Sequence, residues 1–547
     1  VKILIFYKKY LFEYKGTLTV YVALIFVSTA ISILSPYILG EFVDRLIEGG
    51  DINIVLRFSI LFGSLNLIKI IKNYITAIMQ VKMQTRMAYN LNMDVIQHIQ
   101  KLSLSFTEKQ DSAYLSQRIR RDSFGLINFC VSTLQSVLVN TVVLIVPLII
   151  LLFMHYFIAL IMTGFLLLYI VLYLAFRKPL YNVSLLFTES QAKFFSRLVE
   201  QLKHVKNIKM NSSYEKMAER TSDSFETYRH SAIKSQKVNY LYNGLDGIVS
   251  TIAQIILFVS GGIAVMTGNF TIGMFTIFTI YFKMMLGSSK FFFGLGASYQ
   301  QVLVSHDRIK EILEQNVESN GNINIDKVNK IELHDLCFSY KKTDKQGNTD
   351  EHDVLFNVNE CFEKGNIYAI SGGNGKGKSS FISLLSGMYV NKYKGRISYD
   401  GVDIHDIDMI SARKNLFGFT EQEPILISDS IRYNIEYNES NDVNRKILRT
   451  FIDILNMREF ISKRTLNYEI NENNTNISGG EKQKISILKV LLKSPSILIF
   501  DEPTSALDTA TIENFVSYLC SIKKDKIIII ITHDENVKSC CDKIIRL

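Results

Sequence analysis

Residues 365–380 read Gly-Asn-Ile-Tyr-Ala-Ile-Ser-Gly-Gly-Asn-Gly-Lys-Gly-Lys-Ser-Ser. A β-branched apolar run, Gly365–Ser371, leads into Gly372, Gly373, Asn374, Gly375, Lys376, Gly377, Lys378, Ser379 and Ser380, and a helical pattern follows over Phe381–Gly387. This is G-x-x-x-x-G-K-[ST] in its strand–loop–helix setting. Glycines let successive backbone N–H groups curl around phosphates, while Lys378 reaches the β/γ oxygens and Ser379 can ligate Mg²⁺. The helix N-terminus adds its dipole to the anion site. The expected ligand is a nucleotide.

Working outward, Ile497-Leu-Ile-Phe-Asp501-Glu502 supplies a second element. Its four apolar residues read as a buried strand that presents Asp501 towards Mg²⁺, with Glu502 beside it to polarise a water. Gly365–Ser371, Ser496–Phe500 and Lys526–Thr532 are expected strands of a largely parallel sheet. His533 follows the last of them directly, as an ordinary surface histidine or a group aimed at the phosphates.

The chain has 547 residues (62.6 kDa), too many for one hydrophobic core. A mean hydropathy of +0.15 with 21% charged residues excludes a disordered chain. Only 6 Pro and 29 Gly exclude collagenous and low-complexity classes. Charge-free apolar stretches crowd the first three hundred residues, where a crossing helix needs about 20 of them. Thr17–Gly40, closing at Pro36, is one such stretch; Phe124–Met154, Tyr156–Phe176, Gly247–Thr267 and Thr271–Phe282 are others. Thr17–Gly40 is too long, and its exit too bulky, for a signal peptide. Ile54–Val81 carries Arg57, Lys69 and Lys72, but keeping it makes six spans and returns the chain to its starting side.

The net charge of +9 might suggest nucleic acid, but Lys and Arg in cytoplasmic loops of a membrane protein account for it, and no nucleic-acid partner is expected. The segments 82–122 and 177–242 are basic and the turns near His155 and Asn269 are not, which puts both long loops, both termini and the soluble half in the cytoplasm. The six cysteines show no CxxC or zinc spacing and fit reduced cytosolic thiols. Lys69 and Lys72 share a helix face, and Lys283 lies in the sixth span. Such cations either face a water-filled cavity, favouring anionic cargo, or snorkel to the interface.

On these motifs the chain resembles the ATP-binding cassette (ABC) transporters, in the exporter-type half-transporter arrangement. The most specific element is Ile477-Ser478-Gly479-Gly480-Glu481, similar to the family signature, which the resemblance implies binds the γ-phosphate of ATP held by the other subunit. Tyr340 resembles the adenine-stacking aromatic, Gln422 the Q-loop glutamine that touches Mg²⁺, Ser505–Asp508 the D-loop and His533 the switch histidine. Glu472 resembles the exporter-specific acidic residue. The sequence departs from the pattern with Ile477 for Leu, Glu481 for Gln, and Asn471 and Asn474 for glycines. The phosphate-contacting Ser478, Gly479 and Gly480 are intact, and Asn tolerates left-handed backbone.

The expected architecture is multi-domain: an all-α six-helix transmembrane domain (1–305), a linker (306–330) and an α/β P-loop NTPase of the ABC type (331–547). The resemblance implies ATP-driven export of a peptide, lipid or drug-like molecule across the plasma membrane by alternating access. A regulator or channel, or an importer, on the same scaffold is the alternative. ATP and Mg²⁺ are the implied cofactors. A second copy, or a related half-transporter, is the implied partner. The turn near Asp111–Arg121 and the segment Val205–Tyr214 are the implied contacts between membrane and ATPase parts. Lys-, Ile- and Asn-rich usage suggests an AT-rich bacterial genome. With Val1 first and no peptidase domain ahead of the first span, a cargo-cleaving exporter is not expected.

Overall fold

The computed structural model describes residues 6–49, 51–107, 112–343, 349–373, 375–390, 392–436, 445–472 and 474–547. The chain divides into two compact units, Val1–Ile99 with Ser112–Glu314, and Gln100–Asp111 with Gln315–Leu547.

Among the described residues, six helices of the first unit are long and apolar enough to cross a membrane: Lys15–Ile47, Ile52–Gln100, Ile119–Met154, Tyr156–Lys203, Tyr214–Met266 and Ile272–Gly296. The second, kept on parity despite its lysines, is among them. The helices reach 53 residues, far beyond the roughly 20 that span hydrocarbon, so they continue well outside it. The first does not close at Pro36 as its composition suggested, because the helix runs through that proline to Ile47. A helix in lipid tolerates proline where neighbours take up the freed backbone groups. The sixth continues to Leu313 within helix Ile272–Leu313, past residue 306 where the linker reading begins.

Spans one and six approach closely at Gly40 and Gly273. A Cβ on Gly273 would lie 2.1 Å from the Gly40 carbonyl oxygen, so only glycine fits this crossing. Beside it, Asp44 accepts from Gly273 N and from Thr271 Oγ1, both at 2.6 Å, and caps the sixth helix. One apolar cluster joins Ile33, Leu151, Met162, Leu257 and Phe278 from spans one, three, four, five and six.

Among the described residues the second unit carries nine strands: β1 (Lys330–Thr343), β2 (Thr349–Glu363), β3 (Ile367–Ser371), β4 (Tyr393–Tyr399), β5 (Val402–Asp403), β6 (Phe417–Thr420), β7 (Ile497–Asp501), β8 (Ile527–Ile531) and β9 (Lys543–Arg546). An antiparallel sheet orders them β2-β1-β4-β5, and a parallel sheet β6-β7-β8-β3-β9. β8 is five consecutive isoleucines, all buried, as a strand covered on both faces requires. The three expected strands are β3, β7 and β8, each within two residues of its expected ends. Helix Lys378–Leu385 starts three residues earlier than the pattern suggested, because Gly377 rather than Ser380 caps it.

The second unit also takes in residues 100–111. Leu104, in the short helix Leu104–Thr107, packs against its apolar core. Lys101 O accepts from Glu318 N (2.7 Å), and Leu102 bridges Val317. Of the expected segment Asp111–Arg121, Asp111 lies outside the described residues and the remainder belongs to helix Ser112–Met154 rather than to a turn. Val205–Met210, within the other expected segment, is a separate helix with no buried residue.

Candidate functional site

Strand order makes the site. β8 lies between β3 and β7, so the carboxyl ends of three parallel strands sit side by side, where open α/β sheets place ligands. β3 delivers the glycine loop, β7 delivers Asp501 and Glu502, and β8 leads to His533.

Gly377 closes the loop with φ of +84° and caps helix Lys378–Leu385. Gly375 is also left-handed. At Gly377 an added Cβ would come within 2.4 Å of Val354 Cγ1. Gly377→Val therefore combines a clash with a backbone that costs a branched side chain over about 1–2 kcal/mol. We expect it to weaken ATP binding at least about tenfold, read by titration with a fluorescent ATP analogue.

Lys378 Nζ donates to Gly372 O (2.8 Å) and to the ring nitrogen Nε2 of His533 (2.6 Å). His533 Nε2 lies 3.7 Å from Glu502 Oε1. Gln422 Nε2 donates to Glu502 Oε2 (2.8 Å). Four residues far apart in the chain thus meet around the glycine loop. Glu502 has φ of +44°, a strained value for a non-glycine residue, and its N–H is held by Ile531 O (2.9 Å). Burial, then the charge of Glu502, pushes the Asp501 carboxyl up to about 6, against the pull of Lys378. Tyr340 Oη is 3.0 Å from Ser380 Oγ, which ties the aromatic ring to the helix after the loop. Asn374 lies outside the described residues.

The signature residues lie elsewhere. Ser478 caps helix Gly479–Lys493 in a full capping box with Glu481. Gly480 packs so closely on the D-loop that an added Cβ would lie 2.6 Å from Ala506 O. Lys484 pairs with Asp508 (2.9 Å), and its ammonium, with the Thr511 bonds, holds that carboxyl well below the usual carboxylate range. Ser478, Gly480, Glu481, Lys484 and Asp508 line one cleft of about 540 Å³. No described residue of the glycine loop lines it.

Residues 18–289 match the family described as ABC transporter transmembrane region, and residues 355–505 match the family described as ABC transporter. The chain belongs to the ABC transporters. It joins the membrane and ATPase domains in one polypeptide, as exporter half-transporters do. The ATPase domain of such an ABC transporter binds ATP and couples its hydrolysis to transport across a membrane crossed several times by the chain. The chain is 25% identical, over 98% of its length and 93% of the relative's, to YgaD of Bacillus subtilis (strain 168), provisionally named a multidrug export ATP-binding/permease protein. It is 26% identical, over 87% of its length, to the ATP-dependent lipid A-core flippase of Syntrophus aciditrophicus (strain SB), covering 78% of that protein. Its fold matches a solved bacterial Atm1-family ABC exporter with ATP bound, at TM-score 0.83 and 20% identity, over 98% of this chain and 93% of that one.

Of the three lysines singled out in the spans, Lys69 and Lys72 lie about one turn apart on helix Ile52–Gln100 and Lys283 lies on helix Ile272–Leu313. Lys72 is buried and donates to Asn73 Oδ1 (3.2 Å), Lys69 is half-buried and Lys283 is exposed. Another lysine of span six, Lys290, which the sequence did not single out, pairs with buried Asp246 of span five (2.5 Å). A contact between helices 44 residues apart leaves no local signal. Arg464, 3.8 Å from Glu481, was missed for the same reason.

Proposed function

We propose that this chain is one half of an ATP-driven exporter that works as a dimer of identical chains, with its ATPase domain in the cytoplasm. The observation that supports the dimer is the separation of the glycine loop from the signature cleft on one ATPase domain. Each then contributes half of a site that a second copy completes. A related half-transporter would supply the same complement.

In this reading Gly372–Ser380, Lys378 above all, cradle the phosphates, and Tyr340 stacks on adenine. Ser478, Gly479, Gly480 and Glu481 form the half-site for the ATP of the partner. Glu502 orients the attacking water, and His533 and Gln422 sense the γ-phosphate end. Ser379, Gln422 and Asp501 form an oxygen-donor set that suits Mg²⁺, and the repulsion that half-buried Asp501 feels from Glu502 favours a cation beside it. Mg²⁺ there would neutralise charge on the β/γ oxygens. Closure of the two ATPase domains over ATP, and their release after hydrolysis, shifts the spans between inward- and outward-open states.

The relatives named for multidrug and lipid A export point to an amphipathic cargo. Lys69, Lys72 and Lys283 would favour an anionic group on it. The test is ATPase activity in lipid vesicles, screened for stimulation by peptides, lipids and drug-like molecules. Acidic cargo should stimulate more than neutral analogues, and Lys69→Gln with Lys72→Gln should remove at least half of that difference. An unchanged preference removes these lysines from the recognition site.

A further inference from the structure

Glu481 puts a carboxylate into the half-site assigned above to the partner's γ-phosphate. Its Oε2 accepts from Ser478 N (2.7 Å), and its own N–H donates to Ser478 Oγ (3.3 Å). This capping box stabilises the start of helix Gly479–Lys493. It also fixes a negative charge beside the residue that must meet another anion. The ABC pattern carries an uncharged Gln there, so this chain needs a compensating group.

Arg464 stands where that group is needed. Its Nη1 lies 3.8 Å from Glu481 Oε2, and the side chain is only 34% exposed. The same guanidinium donates to Asn476 O (2.7 Å) and packs over the rings of Tyr468 (4.9 Å) and Phe460 (5.6 Å). A planar, permanently charged group suits a site that is stacked and hydrogen-bonded together. The other cations of the cleft are engaged elsewhere: Lys463 with Glu459 (2.5 Å) and Lys484 with Asp508 (2.9 Å).

We propose that Arg464 is a positioning residue for the signature loop, its guanidinium neutralising Glu481 so that the Ser478–Glu481 helix start accepts the γ-phosphate of ATP bound to the second copy. This rests on the reading of Ser478–Gly480 as the phosphate-contacting half-site. Loss of Arg464 leaves an uncompensated carboxylate, and removing that charge should undo the damage.

The experiment measures steady-state ATPase against ATP concentration for the full chain in nanodiscs. It compares Arg464→Ala, Glu481→Gln and the double variant, with Ser478→Ala alongside. Arg464→Ala should raise KM for ATP about five- to tenfold, with a smaller change in kcat, as expected for one unscreened charge beside the phosphate. The double variant should return to within about twofold of Glu481→Gln alone, the non-additivity expected of a coupled pair. Should Arg464→Ala not fold, Arg464→Gln, which keeps a donor for Asn476, carries the same comparison. A double variant as impaired as the single Arg464 variant overturns the proposal, because Arg464 would then be a strut for the 471–476 loop. So does an unchanged KM in the single variant. If Ser478→Ala leaves both constants untouched, the half-site reading itself falls, and the proposal with it. If Ser478→Ala impairs turnover and only the rescue is missing, the half-site reading stands without Arg464.

Discussion

Glu502→Gln is expected to lower ATP turnover by about 10²- to 10⁴-fold, the range for removing a positioned general base, while ATP still binds. The geometry singles out this side chain. Glu502 leaves β7 in a left-handed conformation, with its N–H fixed to Ile531 O, so its carboxylate is held where Gln422 and His533 converge. Glutamine keeps the size and can still hydrogen-bond to Gln422, but cannot take a proton from water. Binding should persist because Lys378 and the glycine loop are untouched. The measurement is a single-turnover assay, with size-exclusion chromatography in ATP to detect an accumulated closed dimer. Turnover within a factor of two of the parent protein would take the catalytic role away from Glu502.

The second large effect separates composite from self-contained sites. Lys378→Ala disables a glycine loop, and Ser478→Arg blocks a signature with a bulky side chain. Differently tagged chains allow both changes to be put on one chain of a dimer, or one change on each. With composite sites, both changes on one chain destroy both sites, because its loop and its signature serve different nucleotides. Splitting them puts both lesions in the same site and spares the other. A self-contained site demands the reverse order. The split dimer should therefore exceed the same-chain dimer in ATPase activity by at least about tenfold. Equal loss in both arrangements, or the opposite ranking, contradicts the dimer reading.

Much of this was legible because the decisive signals are local. The glycine loop, the apolar run ending in Asp501-Glu502, and Ile527–Ile531 each announce a strand and its exit within a dozen residues. Asn474 adopts φ of +52°, which its side chain tolerates where the family pattern has glycine. The start of helix Lys378–Leu385 was obscured because Lys-Ser-Ser reads as loop, although Gly377 had already turned the chain. Pro36 misled because proline breaks a helix in water but can be carried through one in lipid. What stayed illegible depends on distant segments. β1 and β4 pair across some 60 residues, Arg464 finds Glu481 across 17, and the turn at residues 101–107 joins a unit otherwise made of residues 315–547. Pairings of that kind are decided by packing, which no local pattern encodes.

That turn bears on how the molecule is made. The unit that holds the ATPase chemistry is discontinuous, with residues 112–314 running between its first piece and the rest. During synthesis Leu104 emerges long before the apolar core that will cover it exists. It must wait, with its neighbours Lys101 and Leu102, until Val317, Glu318 and the strands beyond them appear. Closing so long a loop is entropically costly and slow, so docking of this turn belongs late in folding. The first-made piece of the catalytic unit is thereby the last to take its place in it.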